Sequence, residues 1–175
     1  MLYKVCITAA GVGSRTSSIA KVHKALLPIN NQTIISKIIN KIDKKIEIIV
    51  AVGYQKKTII DYINIAHPDR IIKFVNVKNF NKKGSGPGLS LLKCKKYLQC
   101  PFIFIACDTL FKEKIPKPNK NWIGISKVDS SSSYLVVEKN NKKKVTRLFD
   151  KKNKNFLLKN KYFDNKIFGF IGISG

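Results

Sequence analysis

Residues 8–15 read Thr-Ala-Ala-Gly-Val-Gly-Ser-Arg, and this stretch, the glycine loop, decides how the rest of the chain is interpreted. It follows Tyr3-Lys4-Val5-Cys6-Ile7, a β-branched run that predicts a buried first strand. The glycines therefore fall where a strand's carboxyl end opens into a loop, the edge at which open α/β sheets bind ligands. Glycines let backbone N–H groups approach an anion closely, and Arg15 adds a planar fork suited to phosphate oxygens. The loop predicts phosphate binding, with an ordinary glycine turn before a solvated basic helix as the alternative.

Apolar strands alternate with amphipathic helices along the next hundred residues. The pattern predicts helices at 33–42, 57–65 and 89–98, with strands at 46–52, 71–77 and 101–106. Beyond them it predicts a strand at 122–126, a hairpin of 134–137 and 144–149 around Asn140-Asn141, and a last strand at 168–173. This order predicts an α/β, Rossmann-like fold with a mixed, mostly parallel sheet and helices on both faces. At 175 residues, a single domain is expected.

The chain is strongly basic, with 34 Lys and Arg against 10 Asp and Glu and a formal net charge of +24. Such a balance is compatible with a nucleic-acid or anionic-surface partner. The lysines are spread along the whole chain, however, and do not form a basic helix with interleaved aromatics. We therefore expect a positive field that attracts anionic nucleotides, and regard a nucleic-acid partner as the less favoured alternative.

Cysteines and histidines give no sign of a metal or disulfide site. Cys6, Cys94, Cys100 and Cys107 lack paired C-x-x-C spacing, and His23 and His67 are isolated. No apolar run approaches the roughly 20 residues that a membrane-spanning helix needs. With no secretory leader in the sequence, a reduced, cytoplasmic setting is expected, with Cys6 and Cys107 as small core residues.

Two further motifs follow the glycine loop. Lys24-Ala25-Leu26-Leu27-Pro28 comes nine residues after it, and Cys107-Asp108 closes the apolar strand at 101–106. Together with Gly11, Gly13, Ser14 and Arg15, these motifs resemble the signature of nucleotidyltransferases that couple a nucleoside triphosphate to a sugar phosphate or phosphocholine. Some branches of that family place the lysine closer to the arginine, so Lys21 is an alternative to Lys24.

The resemblance implies a role for each matching residue. Arg15 and Lys24 would bind the triphosphate, with Ala10, Gly11, Gly13 and Ser14 as nucleotide-binding residues of the loop, and Asp108 would hold Mg²⁺, the implied cofactor. A cap on the turn at Thr109 is the alternative for Asp108. The family has a glutamine five residues before a glycine-rich run, and both contact the nucleobase; here Asn79, Gly84 and Ser85 match those positions. Lys151 corresponds to the lysine of a Glu-Lys-Pro motif that binds the acceptor's phosphate.

The same resemblance divides the chain into a nucleotide-binding half, about residues 1–112, and an acceptor-binding half, about 113–175. Relatives of this kind usually continue past the final strand, so a C-terminally truncated domain of the nucleotide-diphospho-sugar transferase type is expected. The implied partners are an NTP, with CTP or UTP/dTTP favoured, and a phosphorylated acceptor. Leu135 stands where sugar-binding members tend to have glycine. A nucleotide-binding module without turnover, or a basic nucleic-acid or anionic-surface binder, remains an alternative.

Overall fold

The structure is a computed structural model that describes residues 3–13, 21–82, 84–127, 136–142, 144–149 and 168–174. These residues form two compact units, one within Met1–Trp122 and Ile173–Gly175 and the other within Ile123–Gly172. The first unit contains the glycine loop and is built around a parallel sheet.

The sheet of the first unit has four strands in the order β5-β4-β1-β6. They are β1 (Lys4–Ala9), β4 (Ile48–Val52), β5 (Ile72–Asn76) and β6 (Phe102–Ala106). All three pairings are parallel, and in the central strand Val5 lies opposite both Ile48 and Ile103. β4 is an unbroken apolar run because it is buried on both faces. The predicted parallel core is confirmed.

Helices cover both faces of this sheet. The helices are α1 (Ile34–Asn40), α2 (Lys56–Ala66) and α3 (Pro87–Cys94), and a short 3₁₀ turn, Lys95–Tyr97, extends α3. Alternate residues of β1 enter opposite cores, with Val5 and Ile7 packing with the isoleucines of α1 and α2. Cys6 packs in the other core with Cys94 of α3. The two-residue period of a strand explains this division, and the predicted placement of helices on both faces of the sheet is confirmed.

A small hairpin that the sequence pattern did not reveal precedes α1. Its strands are β2 (Pro28–Ile29) and β3 (Gln32–Thr33). The two residues between them, Asn30 and Asn31, have φ values of 48° and 62°. A tight two-residue hairpin requires such left-handed angles, which asparagine tolerates better than most residues. Thr33 then caps α1 by accepting a hydrogen bond from the Ser36 N–H at 3.2 Å.

The second unit contains β7 (Ile123–Lys127), β8 (Val136–Lys139), β9 (Val145–Phe149) and β10 (Phe168–Ser174), the last of which ends beyond its boundary. β8 and β9 form the predicted antiparallel hairpin. At its turn, the Asn140 side-chain oxygen accepts a hydrogen bond from the Lys144 N–H at 3.0 Å. β10 pairs with both β8 and β7.

Candidate functional site

A cavity of about 650 Å³ opens at the carboxyl ends of β1 and β6, beside the glycine loop. Its wall also includes the loop that leads into α3, so backbone groups, a cation, a carboxylate and an aromatic ring share one space. The residues that line it are Thr8, Ala10, Gly11, Val12, Gly13, Lys24, Val77, Phe80, Asn81, Ser85, Gly86, Pro87, Leu89, Ser90, Ala106 and Asp108. Its volume lies within the range of about 300–1,000 Å³ typical of small-molecule sites.

Lys24 and Asp108 meet in this cavity. Asp108 follows β6, where the Cys107 N–H donates to the Thr8 carbonyl at 3.2 Å and so keeps this segment against β1. Lys24 begins the 3₁₀ turn Lys24–Leu26. The Lys24 Nζ lies 2.7 Å from the Asp108 Oδ2. Two oppositely charged side chains from distant parts of the chain are therefore joined at the strand ends.

This ion pair is partly open to solvent, with side-chain exposures of 23% for Lys24 and 45% for Asp108. Pairs of this kind contribute about 1 kcal/mol or less to stability, because water already solvates both charges well. An anion bound to Lys24 could therefore take the place of Asp108, and a cation bound to Asp108 could take the place of Lys24, at little cost in free energy. The arrangement suits a ligand that carries both, such as a metal-bound phosphate.

The segment that follows β4 contacts the backbone of the glycine loop at Ala10. The Ala10 carbonyl accepts a hydrogen bond from the Tyr54 N–H at 3.0 Å. A Cβ placed on Gly53 would lie 2.7 Å from the Ala10 oxygen and 2.8 Å from the Phe80 ring, so only glycine fits there without a shift. Gly13 has φ 70°, which an L side chain rarely adopts. Backbone packing thus fixes the position of Ala10 in the loop.

His23 is a residue of the site that the sequence interpretation missed. Its Nδ1 accepts from the Ala25 N–H at 3.1 Å, and its Nε2 lies 3.1 Å from the Gly11 carbonyl. Burial is the main cause that lowers the pKa of this imidazole below its usual value of 6.5. Its place just before a turn was the available signal, but a turn cap is usually sought in Ser, Thr, Asp or Asn.

The structure brings together most of the described residues proposed from sequence. Six of them line the cavity: Ala10, Gly11, Gly13, Lys24, Ser85 and Asp108. Between the two candidate lysines, Lys24 is the one whose Nζ contacts Asp108, whereas Lys21 offers its backbone carbonyl to the Gln55 side chain.

Other predicted residues are placed differently. Asn79 occupies a left-handed turn position, φ 61°, and Asn81 rather than Asn79 lines the cavity. Gly84, with φ 84°, precedes the lining residue Ser85. The nucleobase contacts of Asn79 and Gly84 stay a prediction. Ser14, Arg15 and Lys151 lie outside the described residues.

Cys107, directly before Asp108, is fully buried, and burial raises the pKa of its thiol to about 12. It therefore packs as a small core residue, as predicted, and is not poised as a nucleophile. In the described part of the chain, His, Cys, Asp and Glu do not gather in a group of three or more that could hold a metal ion alone. Across the same ranges, no helix has both the length and the apolar character to cross a bilayer.

A second cavity, of about 430 Å³, is bordered by α1, α2 and the loop that follows α2. In its wall, Ser36 Oγ lies 2.9 Å from the Tyr62 hydroxyl and 2.8 Å from His67 Nε2. Thr33 Oγ1 donates to the same tyrosine at 3.0 Å. Burial is again the main cause that lowers the pKa of His67. These polar side chains hydrogen-bond mainly to one another.

The fold of this chain is shared with solved structures, two of which illustrate the likeness. A UDP-glucose pyrophosphorylase complexed with UDP-glucose superposes with a TM-score of 0.75 at 19% identity, over 99% of this chain and 75% of that chain. A CTP:phosphocholine cytidylyltransferase from Streptococcus pneumoniae gives a TM-score of 0.69 at 19% identity, over 99% and 70%. At these identities the likeness establishes the fold, which is that of the nucleotide-diphospho-sugar transferases.

A relative detected by sequence is the bifunctional protein GlmU of Methanococcus vannielii, 32% identical over 165 residues that cover 92% of this chain and 38% of that protein. The chain is thus related in sequence to GlmU, and its fold is that of the nucleotidyltransferases named above. The resemblance carried by the glycine loop, Lys24 and Asp108 is thereby confirmed. The chain spans about two fifths of the length of that relative, and no protein-family model matches it.

Proposed function

We propose that this nucleotidyltransferase domain moves an NMP group from an NTP to a phosphorylated acceptor and releases pyrophosphate. The observation that carries the proposal is the ion pair of Lys24 and Asp108, 2.7 Å apart, in the cavity at the glycine loop. Such a transfer needs negative charge to be neutralised on the α-phosphate and on the leaving pyrophosphate, and positioned charges supply most of the rate of such reactions.

Lys24 would bind the triphosphate, with the backbone of Ala10, Gly11 and Gly13 around it. The exposed, weak ion pair supports this role because the ammonium can exchange Asp108 for phosphate oxygens at low cost. Arg15 would add a second cation, and Lys151 would bind the acceptor's phosphate. These two roles rest on the motif alone.

A single carboxylate, Asp108, is the kind of protein ligand expected for an Mg²⁺ ion that binds together with a nucleotide. Mg²⁺ usually takes one or two protein carboxylates and completes its shell with phosphate oxygens and water. A lone carboxylate at the cavity, without a group of three ligands among the described residues, matches this pattern. When bound, Mg²⁺ would neutralise phosphate charge. We propose Asp108 as its ligand.

The reaction then needs no general base from the protein. A phosphate oxygen of the acceptor is already ionised near neutral pH; it would form a bond to the α-phosphorus while the bond from that phosphorus to the pyrophosphate oxygen breaks. The electron pair leaves with pyrophosphate. Lys24 would hold the triphosphate in line for this attack and stabilise the charge that develops on it.

The nucleotide and the acceptor are proposed by chemical class. CTP or UTP/dTTP is favoured, with phosphocholine or a sugar phosphate as acceptor. The names of the two fold neighbours, a UDP-glucose pyrophosphorylase and a CTP:phosphocholine cytidylyltransferase, support both acceptor classes. We also propose that the domain acts in the cytoplasm, which its four free cysteines support.

The test is a screen of the four common NTPs against phosphocholine and several sugar 1-phosphates, with Mg²⁺ present and pyrophosphate release as the readout. We expect one NTP and acceptor pair to release pyrophosphate, and EDTA to abolish it. Thermal stabilisation by NTP without pyrophosphate release would favour a nucleotide-binding module instead. Binding that resists Lys24→Ala but falls steeply with salt would favour a polyanion binder.

A further inference from the structure

His23 joins the two segments that form the cationic side of the cavity. It precedes the 3₁₀ turn that begins with Lys24, and its Nε2 reaches the carbonyl of Gly11, twelve residues away in sequence. The side chain is almost completely enclosed, with 1% of the residue exposed. It therefore lies between the glycine loop and the turn Lys24–Leu26, which we call the lysine turn. Its two hydrogen bonds link these segments, and we call this link the tie.

The two hydrogen bonds fix the chemical form of the ring. A carbonyl oxygen only accepts, so Nε2 must carry the proton that it donates to Gly11. The Ala25 N–H only donates, so Nδ1 must be unprotonated. His23 is thus a neutral Nε2–H tautomer with both nitrogens bonded to backbone. A second proton on Nδ1 would break the bond to Ala25.

The same tie limits where Lys24 can go. A three-residue 3₁₀ turn is too short to hold its own orientation, and a lysine side chain has several rotatable bonds. The ring of His23 is rigid, so it sets the separation between the Gly11 oxygen and the Ala25 nitrogen. The carbonyl of Ala10 accepts a hydrogen bond from the Tyr54 N–H, and the carbonyl of Gly11 is bonded to His23, so two successive carbonyls of the loop are anchored. The ring centroids of Tyr54 and His23 are 6.1 Å apart.

We infer that His23 is a positioning residue: it holds the lysine turn against the glycine loop, so that the Lys24 ammonium stays at Asp108 and faces the cavity. This inference rests on the proposed function, because it takes Lys24 as the cation that binds triphosphate. His23 itself would touch neither the nucleotide nor the acceptor.

The experiment compares His23→Asn and His23→Ala with a matched control, His67→Asn. Asparagine can still accept from the Ala25 N–H, as a good turn cap, but is too short to reach Gly11, so it isolates the loss of the tie. His67 is the other neutral, hydrogen-bonded histidine, and it contacts Ser36 in the second cavity. All variants are made in the full 175-residue chain.

The first readout needs no nucleotide. Limited acetylation with acetic anhydride, followed by peptide mass spectrometry, gives the modification rate of each lysine. We expect Lys24 to react several-fold faster in both His23 variants than in the parent chain, since its ammonium is no longer kept in the ion pair. His67→Asn should leave the acetylation rate of Lys24 unchanged, even if it lowers the melting temperature by as much as the His23 variants do.

The second readout is the affinity for Mg·NTP and, where turnover is found, the separate kcat and KM. A misplaced catalytic cation costs up to about 10²-fold, so we expect kcat to fall by about tenfold or more in His23→Asn, with no such change in His67→Asn. If the parent chain binds no NTP while Lys24 acetylation changes as expected, the proposed function fails and the positioning role stands.

Two results would overturn the inference. One is an unchanged Lys24 acetylation rate in a folded His23→Asn variant. The other comes from the unmodified protein, which remains informative even if His23→Ala does not fold. In the unmodified protein, ¹⁵N NMR of His23 near neutral pH should show a protonated Nε2 and an unprotonated Nδ1. The opposite tautomer would remove the hydrogen bonds on which the inference depends.

Discussion

The two histidines of this chain lie beside two cavities that differ in how their polar groups are used. At the second cavity, His67, Ser36, Tyr62 and Thr33 form a chain of short hydrogen bonds. At the first, His23 is likewise bonded, but the charged groups it helps to place, Lys24 and Asp108, form only a solvent-exposed pair. Groups that satisfy one another stabilise structure, whereas an exposed pair with weak mutual attraction is available to a ligand. The contrast separates a structural network from a candidate binding site.

The strongest way to test this contrast is to remove Lys24. We expect Lys24→Ala to lower turnover by about 10²–10³-fold, because a cation that neutralises developing phosphate charge is lost. Pyrophosphate release with saturating Mg·NTP measures it. Lys21→Ala is the matched control, with the same loss of charge three positions earlier. A larger loss in Lys21→Ala than in Lys24→Ala would show that the lysine was assigned wrongly.

Gly53→Ala should damage the first cavity alone. The new methyl group would press on the Ala10 oxygen and the Phe80 ring, and overpacking of this kind costs about 1–3 kcal/mol. Because Ala10 belongs to the glycine loop, NTP affinity should fall together with the free energy of unfolding. Urea denaturation and nucleotide titration give the two quantities. An unchanged NTP affinity in Gly53→Ala would contradict this prediction, because it would mean that the glycine loop accommodates the added methyl group.

Ser36→Ala should do the opposite and affect stability alone. It removes the partner that the Tyr62 hydroxyl and His67 Nε2 share, at a cost of about 0.5–1.5 kcal/mol, the net contribution of a typical hydrogen bond. Turnover per folded molecule should stay unchanged, since the Ser36 side chain lines the second cavity and not the first. Denaturation and pyrophosphate assays on the same preparation separate these effects. A selective loss of turnover would give the second cavity a role in the reaction.

The smallest expected effect is a dependence of stability on pH. The pKa values of both His23 and His67 are lowered from 6.5 in the folded protein, mainly by burial. The unfolded chain therefore takes up protons first as the pH falls, so stability is fully present above about pH 6.5 and is lost progressively below it. Melting temperatures from about pH 7.5 down to about pH 5 should fall in the parent chain and fall less steeply in His67→Asn. A flat profile in the parent chain would contradict the assigned neutral forms.

Much of the first unit could be predicted because its sequence signals are local and strong. The continuous apolar run of β4 and the isoleucine spacing of α1 each have a single natural interpretation. The glycine loop and Asp108 could be placed at one sheet edge because parallel strands end on the same side. These features depend on periodicity and topology, which the sequence carries directly.

What could not be predicted depends on contacts between distant residues. Nothing in the pattern marks His23 as a tie to Gly11, because the bond joins a side chain to a backbone carbonyl twelve residues away. The hairpin at Asn30-Asn31 has strands of only two residues, too short for any alternation to show. Asn81 lines the cavity and Asn79 occupies a left-handed turn position, a placement that spacing along the chain does not encode.

The central position of β1 affects how the polypeptide can fold as it is synthesised. This strand precedes both of its partners in the sequence, and β4 and β6, with Ile48 and Ile103 opposite Val5, are synthesised after it. Until the second partner leaves the ribosome, one edge of an apolar strand has exposed N–H and C=O groups that can pair with other chains. Slow translation or high expression would therefore favour aggregation through β1, and early chaperone binding to this strand would suppress it.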